Sequence, residues 1–508
     1  MNFKNFSEII EFNGKKYSQK IFCIEYSTGR KVTYSKFDSQ VNQCCNFLEA
    51  HSLAKGDIIS VCIKNSYAFI VIYFACLRLN AAVNPLPSSL SYQEIRKSIE
   101  FLSSKMIFVD DKHKNKDFSF INQAFFMSVK YNNFFDELSR YVSQYASSVD
   151  EENVACYYYT SGTTSNPKCV MYSHKNMVSL IGSMTRSFHF CFEDIHLGFL
   201  PLGHTAIINY TMLPVIYNAS TLILCESLMK IRSDFWKIVS KNSVSYVEMV
   251  PTSLFMILNT PYERSAIEEN STLKYIGCGS AFLAVDIQKK FQERFGIPVI
   301  NLYGLSETGP THYDDPFSED WQPGSIGRPI DVCECINFRK DKSEADVGEI
   351  GEIAIKGENI FIGYYKNKEA YERVMCNGYF LTGDLVYKDT RGVFYFVDRK
   401  KDLIIKGGVN ILAAEIEEVL YQMNEIQIVA VIGIPDIIFG EEIVAFVKLK
   451  DGFLIKEGDI RSYCVKNIQV LKCPKRIYIV ESLPQGPSGK ILKRKLKENY
   501  NRGYYGKK

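Results

Sequence analysis

The chain has 508 residues, enough for two or more domains, and 46% are apolar with 34 Phe and 32 Tyr, which excludes a disordered polymer. Lys and Arg total 60 against 57 Asp and Glu, a formal net charge of +3, so neither a nucleic-acid footprint nor a polybasic membrane patch is expected. The 15 cysteines include no CxxC, and Cys333-Glu334-Cys335 lacks a second pair at zinc-finger spacing, so reduced thiols and a cytoplasmic location are expected.

The opening MNFKNFSEIIEF lacks the apolar core of a signal peptide. Residues 34–51 carry Phe37, Val41, Cys45 and Leu48 at helical spacing, and 57–64 read as a buried strand. The longest apolar run, 67–77, is about half a membrane span, so it predicts a buried helix and no membrane crossing. Strand–helix alternation continues to residue 400, which predicts an α/β domain with parallel sheet. Over 378–399 the texture changes to short strands with turns. Beyond it, Leu412, Ile416, Val419, Leu420 and Met423 mark an amphipathic helix. Strands at 427–434 and 442–450, a helix, a strand at 477–480 and a basic helix over 490–500 with a solvated face follow.

Four segments carry chemistry. Residues 160–168 (TSGTTSNPK) join two strand-like stretches by a loop dense in hydroxyls and free backbone N–H groups, a geometry that wraps phosphate oxygens, and Lys168 adds a point charge. The Walker pattern GxxxxGK[ST] fails here, and a strand follows rather than a helix. Residues 301–308 (NLYGLSET) place a carboxylate after a tyrosine–glycine turn. Asp384 follows Thr382-Gly383, and Arg399 stands fifteen positions on; a carboxylate offers several acceptor sites and no donor. Lys490 sits behind the turn 484–489 (PQGPSG), framed by proline, glycine and serine.

In this order the segments resemble the adenylate-forming superfamily of acyl-CoA synthetases, aryl-CoA ligases, peptide-synthetase adenylation domains and luciferases, over almost the whole chain. The resemblance implies an α/β fold: a large multi-subdomain N-terminal domain over 1–400 with the ATP and acyl sites, and a small mobile C-terminal α+β domain over 401–508 with the catalytic lysine. It implies that Thr160, Ser161, Gly162, Thr163, Thr164 and Lys168 surround the phosphates of ATP. Gly279, Ser280, Asn301, Leu302, Tyr303 and Gly304 would line the nucleotide, with Tyr303 stacking the purine. Ser306 would lie near the α-phosphate, and Glu307 with Thr160 would hold Mg²⁺. Asp384 would accept from both ribose hydroxyls, and Arg399 would reach the ribose or phosphate. Lys490 would bridge the attacking carboxylate and the α-phosphate, where a cation stabilises the charge of the transition state. Lys401 would be the hinge, and Gly407 and Gly408 the loop admitting the pantetheine arm. His204 would gate an acyl pocket lined by Thr205, Ala206, Cys278, Gly304 and Gly309. The sequence departs from the family pattern at Ser165 and Cys169, where glycine is usual, and at Ala413, where proline is common.

The activity implied is an ATP-dependent, AMP-forming carboxylate–CoA ligase that makes an acyl-adenylate and then a thioester. Free CoA is the simplest acceptor; a separate carrier protein presenting phosphopantetheine is the alternative, and a non-catalytic nucleotide- or acyl-binding relative is the third reading. Residues 197–216 contain no Asp or Glu, so a small-molecule fatty or aryl acid is expected rather than an amino acid, whose ammonium would be buried unpaired.

Overall fold

The computed structural model describes residues 3–127, 132–159, 168–261, 272–486 and 490–505. Two mostly parallel sheets dominate the large N-terminal domain. One runs Gly363–Tyr364, Cys169–Ser173, Val154–Tyr159, Ala82–Pro85, Ile58–Cys62, Met106–Asp110 and Gln123–Met127 in spatial order. The other runs Val299–Asn301, Tyr275–Cys278, Tyr246–Met249, Ile195–Gly198, Thr221–Leu224, Ile21–Glu25 and Arg30–Thr33. One hydrophobic cluster from Phe6 to Phe394 joins them. The apolar run forms the helix Tyr67–Arg78, every residue of it buried, with Ser66 accepting from the Phe69 N–H as its cap. Among the described residues no helix is long and apolar enough to cross a membrane.

The change of texture after residue 378 corresponds to an antiparallel sheet of Cys333–Phe338, Gly351–Gly357, Tyr379–Lys388, Met375–Cys376 and Phe394–Arg399. A short hairpin, Tyr303–Leu305 with Gly309–Tyr313, stands apart from it.

The small C-terminal domain is built on the antiparallel pair Ile426–Asp436 and Gly440–Leu449. Period-2 alternation buries both of its faces. Val429 and Val431 pack with Ile416, Leu420 and Ile460 on one side. Ala430 and Ile432 pack with Phe446, Leu483 and Leu496 on the other. The terminal helix Lys493–Asn501 is therefore docked and not only solvated: Leu496 is fully buried, and Lys493 reaches inward to pair with Glu417 at 2.7 Å. Burying such a leucine contributes about 1.5–3 kcal/mol.

Each domain caps a helix of the other. The helix Ala413–Tyr421 has no side-chain cap of its own, and Asp398 accepts from the Ala414 N–H at 3.2 Å. The helix Val285–Phe295 also lacks one, and Glu418 accepts from the Val285 N–H at 3.0 Å. Free N–H groups at a helix start favour a carboxylate, so both contacts are complementary in charge.

Candidate active site

Register brings Asp384 and Arg399 together. They are Cα partners on the strands Tyr379–Lys388 and Phe394–Arg399, with Arg399 Nε 3.2 Å from Asp384 Oδ1. The segment before Asp384 is fixed by its own polar groups. Thr382 Oγ1 donates to the Ile353 carbonyl at 2.7 Å and accepts from the Asp384 N–H at 3.1 Å. Gly383 takes φ +74°, a left-handed conformation that favours glycine. Asp384 is only 2% exposed, and its Oδ2 accepts from the Tyr303 hydroxyl at 2.9 Å. Asp384 beside it raises the Arg399 guanidinium above its usual value, and burial raises the Tyr303 phenol.

The hairpin places the next group. Gly304 is obligatory: a Cβ there would lie 2.2 Å from the Gly309 carbonyl oxygen across the turn. Its loop presents half-buried Ser306 and Glu307. Glu307 accepts from the Tyr364 hydroxyl at 2.9 Å. Burial raises its carboxyl above the usual range, opposed by Tyr364 and by the charges of Lys168 and Arg399. Lys168 Nζ lies 4.4 Å from the Tyr364 ring centroid, so one tyrosine links the lysine to the carboxylate. Sequence reading missed Tyr364; a tyrosine in the stretch 361–365 (FIGYY) gave no signal of its own. Thr160, Ser161, Gly162, Thr163 and Thr164 lie outside the described residues.

The Tyr303 ring is buried edge-on to His312 at 5.3 Å. Leu302 donates its N–H to the Cys278 carbonyl at 2.7 Å, and Asn301 pairs with Cys278 across the strands. A Cβ on Gly279 would stand 2.8 Å from Leu302, so those segments touch backbone to backbone. Ser280 adopts φ +66°, a strained setting for a residue with a side chain.

Lys490 is brought to the same cluster. Gly486 donates its N–H to the Lys490 carbonyl and Leu492 donates to the Pro484 carbonyl, both at 2.8 Å, which pins the turn on either side. Burial, then Arg399 and Lys401, pull the Lys490 ammonium down to about 7, against the pull of Asp384 and Asp402. His204 responds to that lysine: burial first, then Lys490, lower its imidazole to about 4, so it is neutral and its Nδ1 accepts from the Ala206 N–H at 3.2 Å. Lys401 is solvent-facing. Gly407 (φ +59°) and Gly408 (φ +81°) stand exposed on the small domain, with the Gly407 N–H donating to the Phe439 carbonyl at 2.8 Å.

Two of the residues expected at an acyl pocket, Thr205 and Ala206, begin an interrupted helix. Thr205–Ile207 is α-helical, Ile208–Met212 forms a π-turn in which Leu213 N–H donates to the Ile208 carbonyl, and Leu213–Tyr217 is α-helical again. Pro214 accounts for the interruption, because it has no N–H for the carbonyl four residues back. Ala206 and Cys278 are buried. Gly309 (φ +62°) lies against Leu180, where a Cβ would clash at 2.3 Å. Glu248, on the strand Tyr246–Met249, was missed: it is 3% exposed and accepts from Thr211 Oγ1 at 3.4 Å. An acid inside an otherwise apolar strand run (VSYVEMV) was the available signal.

The donor set fits a nucleotide triphosphate and a divalent cation. Buried Asp384 lies beside Arg399 and acts on Lys490, and Glu307 feels the charges of Lys168 and Arg399, so three cations are present to offset negative charge. Among the described residues no group of three or more His, Cys, Asp or Glu could hold a metal alone. Mg²⁺ is commonly held by one or two carboxylates with substrate phosphates and water, which a single Glu307 suits.

Residues 10–365 match the family of AMP-binding enzymes, and residues 415–490 match the AMP-binding enzyme C-terminal domain. A sulfoacetate–CoA ligase of Cupriavidus necator is 33% identical over 66% of this chain and 65% of its own length. A long-chain-fatty-acid–CoA ligase of Bacillus subtilis is 29% identical over 94% of this chain and 91% of its own. The crystal structure of ATP-bound MatB from Rhodopseudomonas palustris superposes with a TM-score of 0.89 at 25% identity, covering 98% of this chain and 99% of that one.

Proposed function

The chain belongs to the AMP-binding enzyme family and is an acid–thiol ligase, and from that premise we propose that it activates a fatty or aryl carboxylic acid with ATP and passes the acyl group to CoA. The observation supporting this most directly is the meeting of Lys490, Asp384, Arg399 and His204 from four separate stretches of chain.

In the first half-reaction the substrate carboxylate attacks the α-phosphorus of ATP, the bond to the β-phosphate oxygen breaks, and pyrophosphate leaves. Both reactants are anionic, so Lys490 lowers their repulsion and stabilises the charge of the transition state. Asp384 accepts from the ribose hydroxyls, Arg399 holds Asp384 in place, and Tyr303 forms a wall of the nucleotide site. Lys168 and the segment 160–164 bind the phosphates, and Ser306 lies by the α-phosphate. Glu307, with Thr160, would hold Mg²⁺, which supplies charge neutralisation on the phosphates when bound. In the second half-reaction the CoA thiol attacks the acyl carbon, loses its proton and releases AMP. The small domain, joined at residue 401, turns about Lys401 and brings Gly407 and Gly408 to the pantetheine arm.

The acyl wall supports an acid with a hydrocarbon body. Ala206, Ile207, Ile208 and Cys278 are buried and apolar. No Lys or Arg occurs in 197–212, 246–249, 275–279 or 303–313, so a second anion, as in sulfoacetate, has no partner there. The cytoplasm is the setting we propose; the fifteen cysteines are all free thiols.

The test is pyrophosphate release across a panel of acids, with and without CoA. Release together with a CoA thioester is the result expected. Release without a thioester would replace CoA by a carrier protein, and no release with any acid would overturn the reading.

A further inference from the structure

Glu248 is a carboxyl group buried with too few partners. It is 3% exposed, and among the described residues it forms no ion pair and receives one long hydrogen bond, from Thr211 Oγ1 at 3.4 Å. Burial without a nearby cation pushes its carboxyl up to about 8. A buried acid with one weak donor is costly to keep, and most such groups have further partners.

Its surroundings hold a second unsatisfied group. On the adjacent strand Glu248 pairs with Gly277, and on the other side Gly198 follows Leu197, the partner of Val247. Neither neighbour has a side chain of its own, so the groups beside the carboxyl come from other elements: Leu302 over Gly277, and Leu222, Thr211 and Ile207 over Gly198. A Cβ on Gly277 would fall 2.6 Å from the Tyr246 hydroxyl, which is buried and has no hydrogen-bond partner among the described residues. Burial and, after it, the Glu248 charge raise the Tyr210 and Tyr246 phenols. The Tyr210 hydroxyl donates to the Tyr303 carbonyl at 3.3 Å, which connects this corner to the nucleotide-side hairpin.

The corner is remote from the reacting end. Thr211 follows His204 by seven residues along the interrupted helix, about 10 Å at the usual rise.

Building on the ligase reading, we propose that Glu248 recognises the far end of the acid, and that this end carries a positively charged nitrogen on an otherwise apolar body. The carboxylate would pair with the cation. An α-ammonium group, close to the reacting carboxylate, would not reach it.

The experiment compares ω-trimethylammonio acids of graded chain length with their tert-butyl isosteres, which match them in shape but are neutral, and with the corresponding dicarboxylates. Pyrophosphate release is measured with the parent enzyme and with Glu248→Gln. The parent should favour the cationic acid at the best length at least tenfold in kcat/KM over its isostere. Glu248→Gln should reduce that ratio at least tenfold, whatever its effect on the absolute rates. Melting temperature and KM for ATP confirm that the variant is folded with its nucleotide site intact. If the isostere or a dicarboxylate is preferred by the parent, or the ratio is unchanged in Glu248→Gln, the inference is overturned while the ligase reading stands. If no acid releases pyrophosphate, the ligase reading falls and the inference with it.

Discussion

Asp384 and Arg399 face each other across two antiparallel strands, and the contact of 3.2 Å leaves the carboxylate 2% exposed with a second partner in the Tyr303 hydroxyl. The pair holds a buried acceptor in fixed orientation, as a site for two adjacent hydroxyls requires.

Asp384→Ala should weaken ATP binding, since two hydroxyls lose their acceptor on a buried surface. Each unmade bond costs roughly 1–3 kcal/mol, so KM for ATP should rise at least ~5-fold. An unchanged ATP dependence would remove Asp384 from the ribose site.

Lys490→Ala should nearly abolish pyrophosphate release, by a factor on the order of 10²–10³ or more, while leaving thioester formation from supplied acyl-adenylate. The ammonium of the free enzyme is pulled down to about 7, so its charged fraction falls as pH rises through that value. Adenylation kcat/KM, which reports free-enzyme groups, should therefore decline above a pH near 7. Lys490→Arg, whose charge persists, should flatten that limb. Equal loss of both half-reactions in Lys490→Ala would contradict the assignment.

Gly408→Leu should spare adenylation and block the thiol step. In this arrangement a Cβ at Gly408 meets nothing within 4 Å, so only the positive φ opposes it, at about 1–2 kcal/mol. Lys401→Pro should act likewise by fixing φ at the hinge. Thioester formation at the parent rate in either variant would exclude a rotating small domain.

Buried neutral histidines should make the protein acid-labile. Burial lowers His174 and His196 to about 4 and His312 to about 3, against about 6.5 in the unfolded chain. Between those values the unfolded state binds more protons, so stability falls as pH drops from 6.5 towards 4. Each such group costs roughly 2 kcal/mol by pH 5. His196 sits between the Phe190 and Tyr246 rings at 4.6 and 5.0 Å, so His196→Phe should lose less melting temperature between pH 7 and 5 than the parent does. Identical slopes would show that His196 contributes nothing to acid unfolding.

The short strands over 378–399 were legible from their texture, whereas the register that sets Asp384 opposite Arg399 comes from strand pairing that the texture does not specify. Lys490 was singled out by its frame, and the helix Tyr67–Arg78 was legible from its unbroken apolar run. Glu248 was not, because its meaning lies in what its neighbours lack: side chains at Gly198 and Gly277, and a cation anywhere near. The terminal helix looked solvated because Lys493 is one of several lysines in a basic stretch, and its partner Glu417 is 76 positions away in the chain. A partnership at that distance has no periodicity to betray it.

The reciprocal caps between the domains have a mechanical consequence. If the small domain turns as proposed, the motion would withdraw Asp398 from one helix start and Glu418 from another together, and neither contact could be kept at half distance. With a helix cap worth about 1 kcal/mol, the two together act as a detent, holding one orientation until both let go. Domain motion in this protein should then be a jump between two seats rather than a drift, and its dwell times should be set as much by Asp398 and Glu418 as by whatever occupies the site.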